Sequence, residues 1–210
     1  MYNVIMLFLK MNHPEIASIK FDLENSDITY YKNFINKKFS IELFDYFNNL
    51  QEWKTNEIKI FGKKCLQNRE TLCFSYNNLD YKYSGLNNIG IDITEHTILI
   101  KLKNEIEKIF SNKYTFNYVL ANRYKDGSNN IGMHSDNEKD LQGPIVCISL
   151  GSSRFFDFKG IYNNLKKRII LENGSMLVMK GTTQKYYKHG IPLQKKINDS
   201  RISLTFRIII

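Results

Sequence analysis

The chemistry this chain could perform is concentrated at two places. Its four histidines are His13, His96, His134 and His189. His134 stands in Ile131-Gly132-Met133-His134-Ser135-Asp136, two positions before an aspartate. On an extended segment residues i and i+2 point to the same side, so an imidazole and a carboxylate there can converge on one ion. His189, in Tyr187-Lys188-His189-Gly190-Ile191-Pro192, would supply a second imidazole. Two histidines and one carboxylate on one face of an octahedron leave positions open for a cosubstrate and oxygen, as in non-haem iron(II) sites. The same His-x-Asp could also be a turn in which Asp136 caps a helix or accepts a hydrogen bond from His134.

The second place is Arg201-Ile202-Ser203-Leu204-Thr205-Phe206-Arg207, where polar and apolar residues alternate strictly. As a strand this puts Arg201, Ser203, Thr205 and Arg207 on one face and Ile202, Leu204, Phe206 and Ile208 on the other. On a surface strand the arginines would simply face water. On a central strand their Cα atoms stand about 20 Å apart, too far to grip one carboxylate but able to bracket a dicarboxylate by leaning together. An iron site with open positions and a clamp for a diacid complement each other.

Elements must hold these groups. From about Lys113 onward short strand candidates follow one another: Thr115–Tyr124, Ile145–Leu150, Phe155–Phe158, Arg168–Leu171, Met176–Met179 and Ile202–Ile210. Turn signals separate them, among them Asp126-Gly127, Asn163-Asn164 and Asn173-Gly174. This spacing predicts an antiparallel sandwich or jelly roll. Upstream, Ser40 can cap a helix carrying Leu43, Phe44, Phe47 and Leu50, and a second helix runs near Thr97 to Phe110. Between them, Glu57 to Gly85 is rich in aromatic and β-branched residues broken by Asn-Asn and Gly, which suits hairpins.

The 210 residues suffice for one sizeable domain, and 42% hydrophobic with 24% charged residues excludes wholesale disorder. Nothing approaches a membrane span, and the apolar start lacks the basic region and cleavage site of a secretory signal. Cys65, Cys73 and Cys147 share no metal-binding spacing and no disulfide framework, which suits a reducing compartment. The expectation is an intracellular monomer without a membrane partner, with nucleus and cytoplasm not distinguished. The net charge of +9 favours a polyanionic partner, although a Lys-rich surface also serves solubility.

Taken together, the motifs resemble the AlkB family of iron(II)- and 2-oxoglutarate-dependent dioxygenases, nucleic-acid dealkylases. The resemblance runs from about Phe61 to Ile210: Asn122-Arg123-Tyr124 with Asp126-Gly127, then His134-x-Asp136-x-Glu138, Ile148 to Phe156, Asn173 to Met179, His189-x-x-Pro192 and Arg201 to Arg207. Lys59 to Lys63 and Tyr81 to Gly85 resemble the nucleotide-recognition segment of the eukaryotic-type DNA repair branch. It implies an α+β, mainly β fold with a double-stranded β-helix core over 113–210 and recognition hairpins over 57–95; residues 1–56 lie outside the resemblance and are expected to form a helical extension. It implies His134, Asp136 and His189 as iron(II) ligands, and Asn122, Tyr124, Arg201, Ser203 and Arg207 as the 2-oxoglutarate site, with oxygen as the other cosubstrate. Ser203 stands where many relatives carry Asn. Tyr83 matches the aromatic that stacks on the flipped base, Tyr81 its neighbour, and Glu138 a position beside the alkylated base. Arg69 and Lys159 match basic positions near nucleic acid.

The implied activity is oxidative removal of N-alkyl groups, as on N1-methyladenine or N3-methylcytosine, from DNA. An RNA demethylase or a protein dioxygenase of the same family is the enzymatic alternative. A basic nucleic-acid-binding module with a vestigial iron site is the non-enzymatic one.

Overall fold

The computed structural model describes residues 17–60, 63–76, 80–83 and 86–210. In chain order the elements are β1 (Ser18–Phe21), β2 (Asp27–Tyr31), α1 (Lys37–Asn48), β3 (Glu57–Ile60), β4 (Lys63–Leu66), β5 (Glu70–Ser75), β6 (Asp80–Tyr83), β7 (Leu86–Ile89), β8 (Ile91–Asp92) and α2 (Thr97–Ile109). The second half holds β9 (Tyr118–Tyr124), β10 (Ile131–His134), β11 (Leu141–Gly151), β12 (Arg154–Gly160), β13 (Lys166–Leu171), β14 (Ser175–Lys180), α3 (Thr183–Tyr186), β15 (Tyr187–Ile191) and β16 (Arg201–Ile209).

Two sheets make the jelly roll. The major sheet has the order β1-β2-β14-β11-β16-β9-β5-β8 and the minor sheet β10-β15-β12-β13. Every pairing in them is antiparallel except β5 with β8. Strand β16 lies between β11 and β9 at the centre of the major sheet, and its alternation divides the molecule. Ile202, Leu204 and Phe206 join Val119, Ala121, Val146 and Ile148 on the side covered by α1 and α2, through Phe39, Leu43, Phe47, Leu99, Leu102 and Ile106. On the opposite side Ile145, Cys147, Leu177 and Met179 meet Phe156, Phe158, Ile169, Leu171 and Tyr187 of the minor sheet. Arg201, Ser203, Thr205 and Arg207 face this second layer among apolar neighbours. A charged row is expensive there unless something meets it.

The N-terminal part differs from a helical extension. It carries α1, but also β1 and β2, and β2 pairs with β14 so that the major sheet continues through it. The cause is period-2 burial: Ile28 and Tyr30 point into the core, while Asp27, Thr29 and Tyr31 are half-buried. Helix α1 also begins one turn before Ser40. Asn36 caps it, its Oδ1 accepting from the Phe39 amide at 2.9 Å, and Ser40 is an interior residue donating to the Lys37 carbonyl at 2.9 Å. Residues 57–95 form hairpins β3–β4 and β6–β7, but β5 between them belongs to the major sheet, with Leu72 and Phe74 in the helix-side core.

Candidate metal centre and cosubstrate pocket

The metal motif is assembled across one strand pair. β10 and β15 place His134 opposite His189, with a register irregularity between Ile131 and His134. Gly190 permits this pairing: a Cβ there would stand 2.8 Å from the Ile131 carbonyl oxygen. Asp136 lies just beyond β10. Its backbone amide donates to Gln184 Oε1 at 3.0 Å, and the neighbouring Ser135 hydroxyl donates to the Tyr187 carbonyl at 3.0 Å. These two bonds tie the His134–Asp136 loop to the segment that leads into His189. One ligand atom from each of His134, Asp136 and His189 falls within 4.8 Å of the others. The rings of His134 and His189 are 4.4 Å apart, and Phe156 stacks on His189 at 5.3 Å with an interplanar angle of 15°.

The donor chemistry suits a divalent cation. Burial lowers the pKa of His134, and burial with the adjacent His134 lowers His189 to about 3. Both rings are therefore neutral near pH 7, with lone pairs to give. His134 Nδ1 lies 2.9 Å from the Gly132 carbonyl, which can only accept; Nδ1 carries the proton and Nε2 is left as the ligand atom. Burial works to raise the Asp136 carboxyl, but Arg207 and the two histidines outweigh it and hold it at about 2. Arg207 Nη2 donates to Asp136 Oδ2 at 2.9 Å. The other oxygen, Oδ1, is buried with no hydrogen-bond partner and stands 3.6 Å from His134 Nε2. A buried carboxylate oxygen left in that state, beside two imidazoles, fits a metal ligand.

The same pocket continues from the metal donors along β16 and β9, lined by Asn122, Tyr124, Arg201, Ser203, Thr205 and Arg207 among others. Arg201 is fully buried. Its Nη2 donates to Ser149 Oγ at 2.8 Å, while Nε and Nη1 have no hydrogen-bond partner. A buried guanidinium with two unused donors fits a carboxylate that arrives from outside. Arg207 sits at the metal end and Arg201 lies six residues away, at the far end, so the two bracket the pocket. Asn122 Oδ1 accepts from Arg69 Nε at 2.6 Å, so its NH2 is what it presents to the cavity. Ser203 Oγ is 3.0 Å from Cys147 Sγ.

The pocket thus unites His134, Asp136, His189, Asn122, Tyr124, Arg201, Ser203 and Arg207. The expected nucleic-acid residues are elsewhere. Arg69 is buried against Asn122, behind the pocket wall. Lys159 is exposed and lines a separate outer groove with Met133, Asp157 and Lys166. Glu138 is half-buried just past the metal loop, its carbonyl accepting from Leu141 at 3.2 Å. The backbones of Tyr81 and Tyr83 lie in β6, paired with β7, and their side chains are outside the described residues. Gln184, Ser135, Phe156 and Ser149 had no expected role. Ser149 and Phe156 lie inside the Ile148–Phe156 motif, but Gln184 sits in a stretch without any pattern.

Compared with known families, residues 27–207 match the 2OG-Fe(II) oxygenase superfamily. The chain belongs to it, and within it to the AlkB family. The AlkB relatives include a DNA oxidative demethylase ALKBH2 of Arabidopsis thaliana, 31% identical over 212 residues that cover 88% of this chain and 67% of the relative. The human DNA oxidative demethylase ALKBH2 is 32% identical over 166 residues, covering 73% of this chain and 61% of that protein. The human alpha-ketoglutarate-dependent dioxygenase alkB homolog 3 is 32% identical over 145 residues, 64% of this chain and 50% of its own length. The chain therefore spans about half to two thirds of the length of these AlkB proteins. The solved structure of OsALKBH1 superposes with a TM-score of 0.57 at 18% identity, covering 86% of this chain and 97% of its own, which shows the shared fold. The superfamily works with iron(II), 2-oxoglutarate and oxygen, the set for which the two orphaned groups, Asp136 Oδ1 and Arg201, are fitted.

Proposed function

We propose that this AlkB protein removes N-alkyl groups from DNA bases, such as the methyl of N1-methyladenine or N3-methylcytosine, by direct reversal. The observation that carries the reading is one buried pocket with three metal donors at one end and unpartnered guanidinium donors at the other. His134, Asp136 and His189 would hold iron(II); Arg201, with Asn122, Tyr124 and Ser203, would seat the far carboxylate of 2-oxoglutarate. When bound, iron supplies the oxidation that couples decarboxylation of the keto acid to hydroxylation of the alkyl carbon. In balance, one oxygen atom enters succinate, the other enters the methyl group, and the hydroxymethyl base then releases formaldehyde; carbon dioxide leaves from the keto acid. The chain's own residues orient and protect. Arg207 holds Asp136 through Oδ2 and so leaves Oδ1 for the metal these residues would hold, and Phe156 with the apolar lining keeps bulk water away from His189.

DNA as the partner is supported by the ALKBH2 relatives and by the +9 charge. A methyl on a ring nitrogen is inaccessible inside a duplex, so the base must be flipped or single-stranded. Tyr83 would be the stacking platform, with Tyr81 and Glu138 its surroundings and Lys159 a more distant contact in the outer groove; Arg69, buried against Asn122, is not among them. The test is formaldehyde release from methylated DNA and RNA oligonucleotides with iron(II), ascorbate and 2-oxoglutarate. Turnover on DNA that Asp136→Ala abolishes, with DNA affinity nearly unchanged, is expected. Turnover on RNA alone would reassign the substrate, and no turnover on either would sink the reading.

A further inference from the structure

Charge buried around the pocket does not balance. Among the described residues four guanidiniums are buried, Arg69, Arg154, Arg201 and Arg207, against one buried carboxylate, Asp136, which Arg207 already engages. Arg154 has no part in the site described so far and does not line the pocket. It is 1% exposed. Its donors all go to neutral acceptors: Nε to Gln194 Oε1 at 3.1 Å, Nη1 to the Asp126 carbonyl at 3.0 Å, and Nη2 to the carbonyls of Asn129 and Pro192 at 2.8 and 2.9 Å. Hydrogen bonding is satisfied, no carboxylate among the described residues touches the guanidinium, and its positive charge is offset only in part, from a distance, by Asp126. The Asp126 carboxylate accepts from the Ser128 amide at 2.7 Å and sits half-exposed at the turn, where water weakens its attraction for Arg154.

That charge stands close to the far end of the cosubstrate pocket. The guanidinium carbon of Arg154 lies 5.6 Å from the Tyr124 ring centroid, and that of Arg201 lies 5.3 Å from the same centroid. The two charges are thus within about 11 Å, with a buried aromatic ring as their common neighbour and little water to screen them. Burial, then the proximity of Arg201, lowers the Arg154 pKa, in keeping with two like charges held close.

We propose that Arg154 is a specificity-determining residue for the cosubstrate: its field favours a keto acid whose far end carries a second negative charge over one whose far end is neutral. The inference rests on the 2-oxoglutarate reading above and adds to it a charge outside the contact set. Taking the spacing of the two guanidiniums, at most about 11 Å, as the scale of the separation, and an effective dielectric near 20, one unit charge changes affinity for a carboxylate by about tenfold.

The test compares 2-oxoglutarate with 2-oxopentanoate, the same keto-acid end joined to a methyl in place of the far carboxylate. Their dissociation constants are measured by calorimetry on manganese(II)-loaded protein without oxygen. In Arg154→Gln the preference for 2-oxoglutarate falls about tenfold while 2-oxopentanoate binding changes less than twofold; Arg154→Lys keeps most of the preference. Should Arg154→Gln fail to fold, Gln194→Glu serves instead. It places a carboxylate against Arg154 Nε in the original shape, preserves both hydrogen bonds that Gln194 Oε1 accepts, and should lower the preference by a similar factor. An unchanged preference in both variants, or equal weakening of both keto acids, overturns the proposal and leaves Arg154 as a tie between loops. Wild-type protein that binds neither keto acid would overturn the cosubstrate reading with it.

Discussion

The ion pair between Arg207 and Asp136 can be broken from one side, and the consequence can be worked out before any metal is added. The side chains are 3% and 2% exposed and their atoms 2.9 Å apart. Replacing Arg207 by Met keeps the volume roughly filled and leaves the carboxylate buried without its counter-charge, which costs about 3–5 kcal/mol. The titration of Asp136 gives a second measure: a carboxyl held at about 2 in the folded chain, against an ordinary 3.8, represents about 2 kcal/mol at neutral pH. That figure is what survives after burial has worked the other way, so the one-sided loss should exceed it. Urea unfolding of chelator-treated protein at pH 7 should show Arg207→Met less stable by about 3–5 kcal/mol, and adding Asp136→Asn should restore at least half of the loss. The folded pKa is depressed, so the stabilisation is complete above about 3.8 and disappears as pH falls towards about 2. The gap between wild type and Arg207→Met should narrow over that window. A gap below about 1 kcal/mol at pH 7, or no rescue by Asn, would refute a functional pairing of these two groups.

Three further outcomes follow from the same geometry. Gly190→Ala forces its methyl against the Ile131 carbonyl, so β10 and β15 must separate; cobalt(II) titration should show weaker binding, and stability should fall by about 1–3 kcal/mol. Unaltered cobalt affinity would show that the His134–His189 pairing does not depend on this contact. His189 is depressed to about 3 and His134 in the same direction, so the unfolded chain binds more protons between about 3 and the ordinary 6.5. Metal-free stability should therefore rise with pH through that range and level off above it, and thermal melts flat between pH 4 and 6.5 would contradict it. Phe206→Ala, at the fully buried centre of β16, should cost about 3–5 kcal/mol in denaturant unfolding while leaving the polar face of the strand in place.

How far the amino-acid pattern reaches depends on whether a feature is local. The alternation of 201–207 specifies its own two faces, and β16 delivers them: the apolar half enters the helix-side core, and the polar half lines the pocket. The strand candidates from 145 onward recur with ends shifted by a few residues, because their burial patterns are their own. β10 is four residues long and pairs irregularly, and β15 begins on Tyr187 after a single turn of helix; neither shows a periodic signal. β1 and β2 lacked a signal for another reason. They are strands because β14 has an edge for β2 to extend, and a propensity reading of residues 18–31 contains nothing about that edge.

The site divides along the same line. The convergence of His134, Asp136 and His189 is legible because their residue types and spacing suit one ion, and that of Arg201 because the alternation of its strand gives it a polar face. Arg207 was expected only to face the cosubstrate, yet its Nη2 is placed on Asp136 Oδ2. That contact leaves Oδ1 as the oxygen open to a metal, and it exists because the chain, 71 positions on, returns β16 to the end of β10. Arg69 shows the same limit from the other side: its sequence position suggested a reach towards nucleic acid, while the register of β5 against β9 carries it onto Asn122. Residue type announces what a side chain can bind, and strand register decides which of several possible partners it meets. The chemistry of this pocket is therefore written in the residues, and the division of labour among its arginines is written in the pairing of β5, β9 and β16.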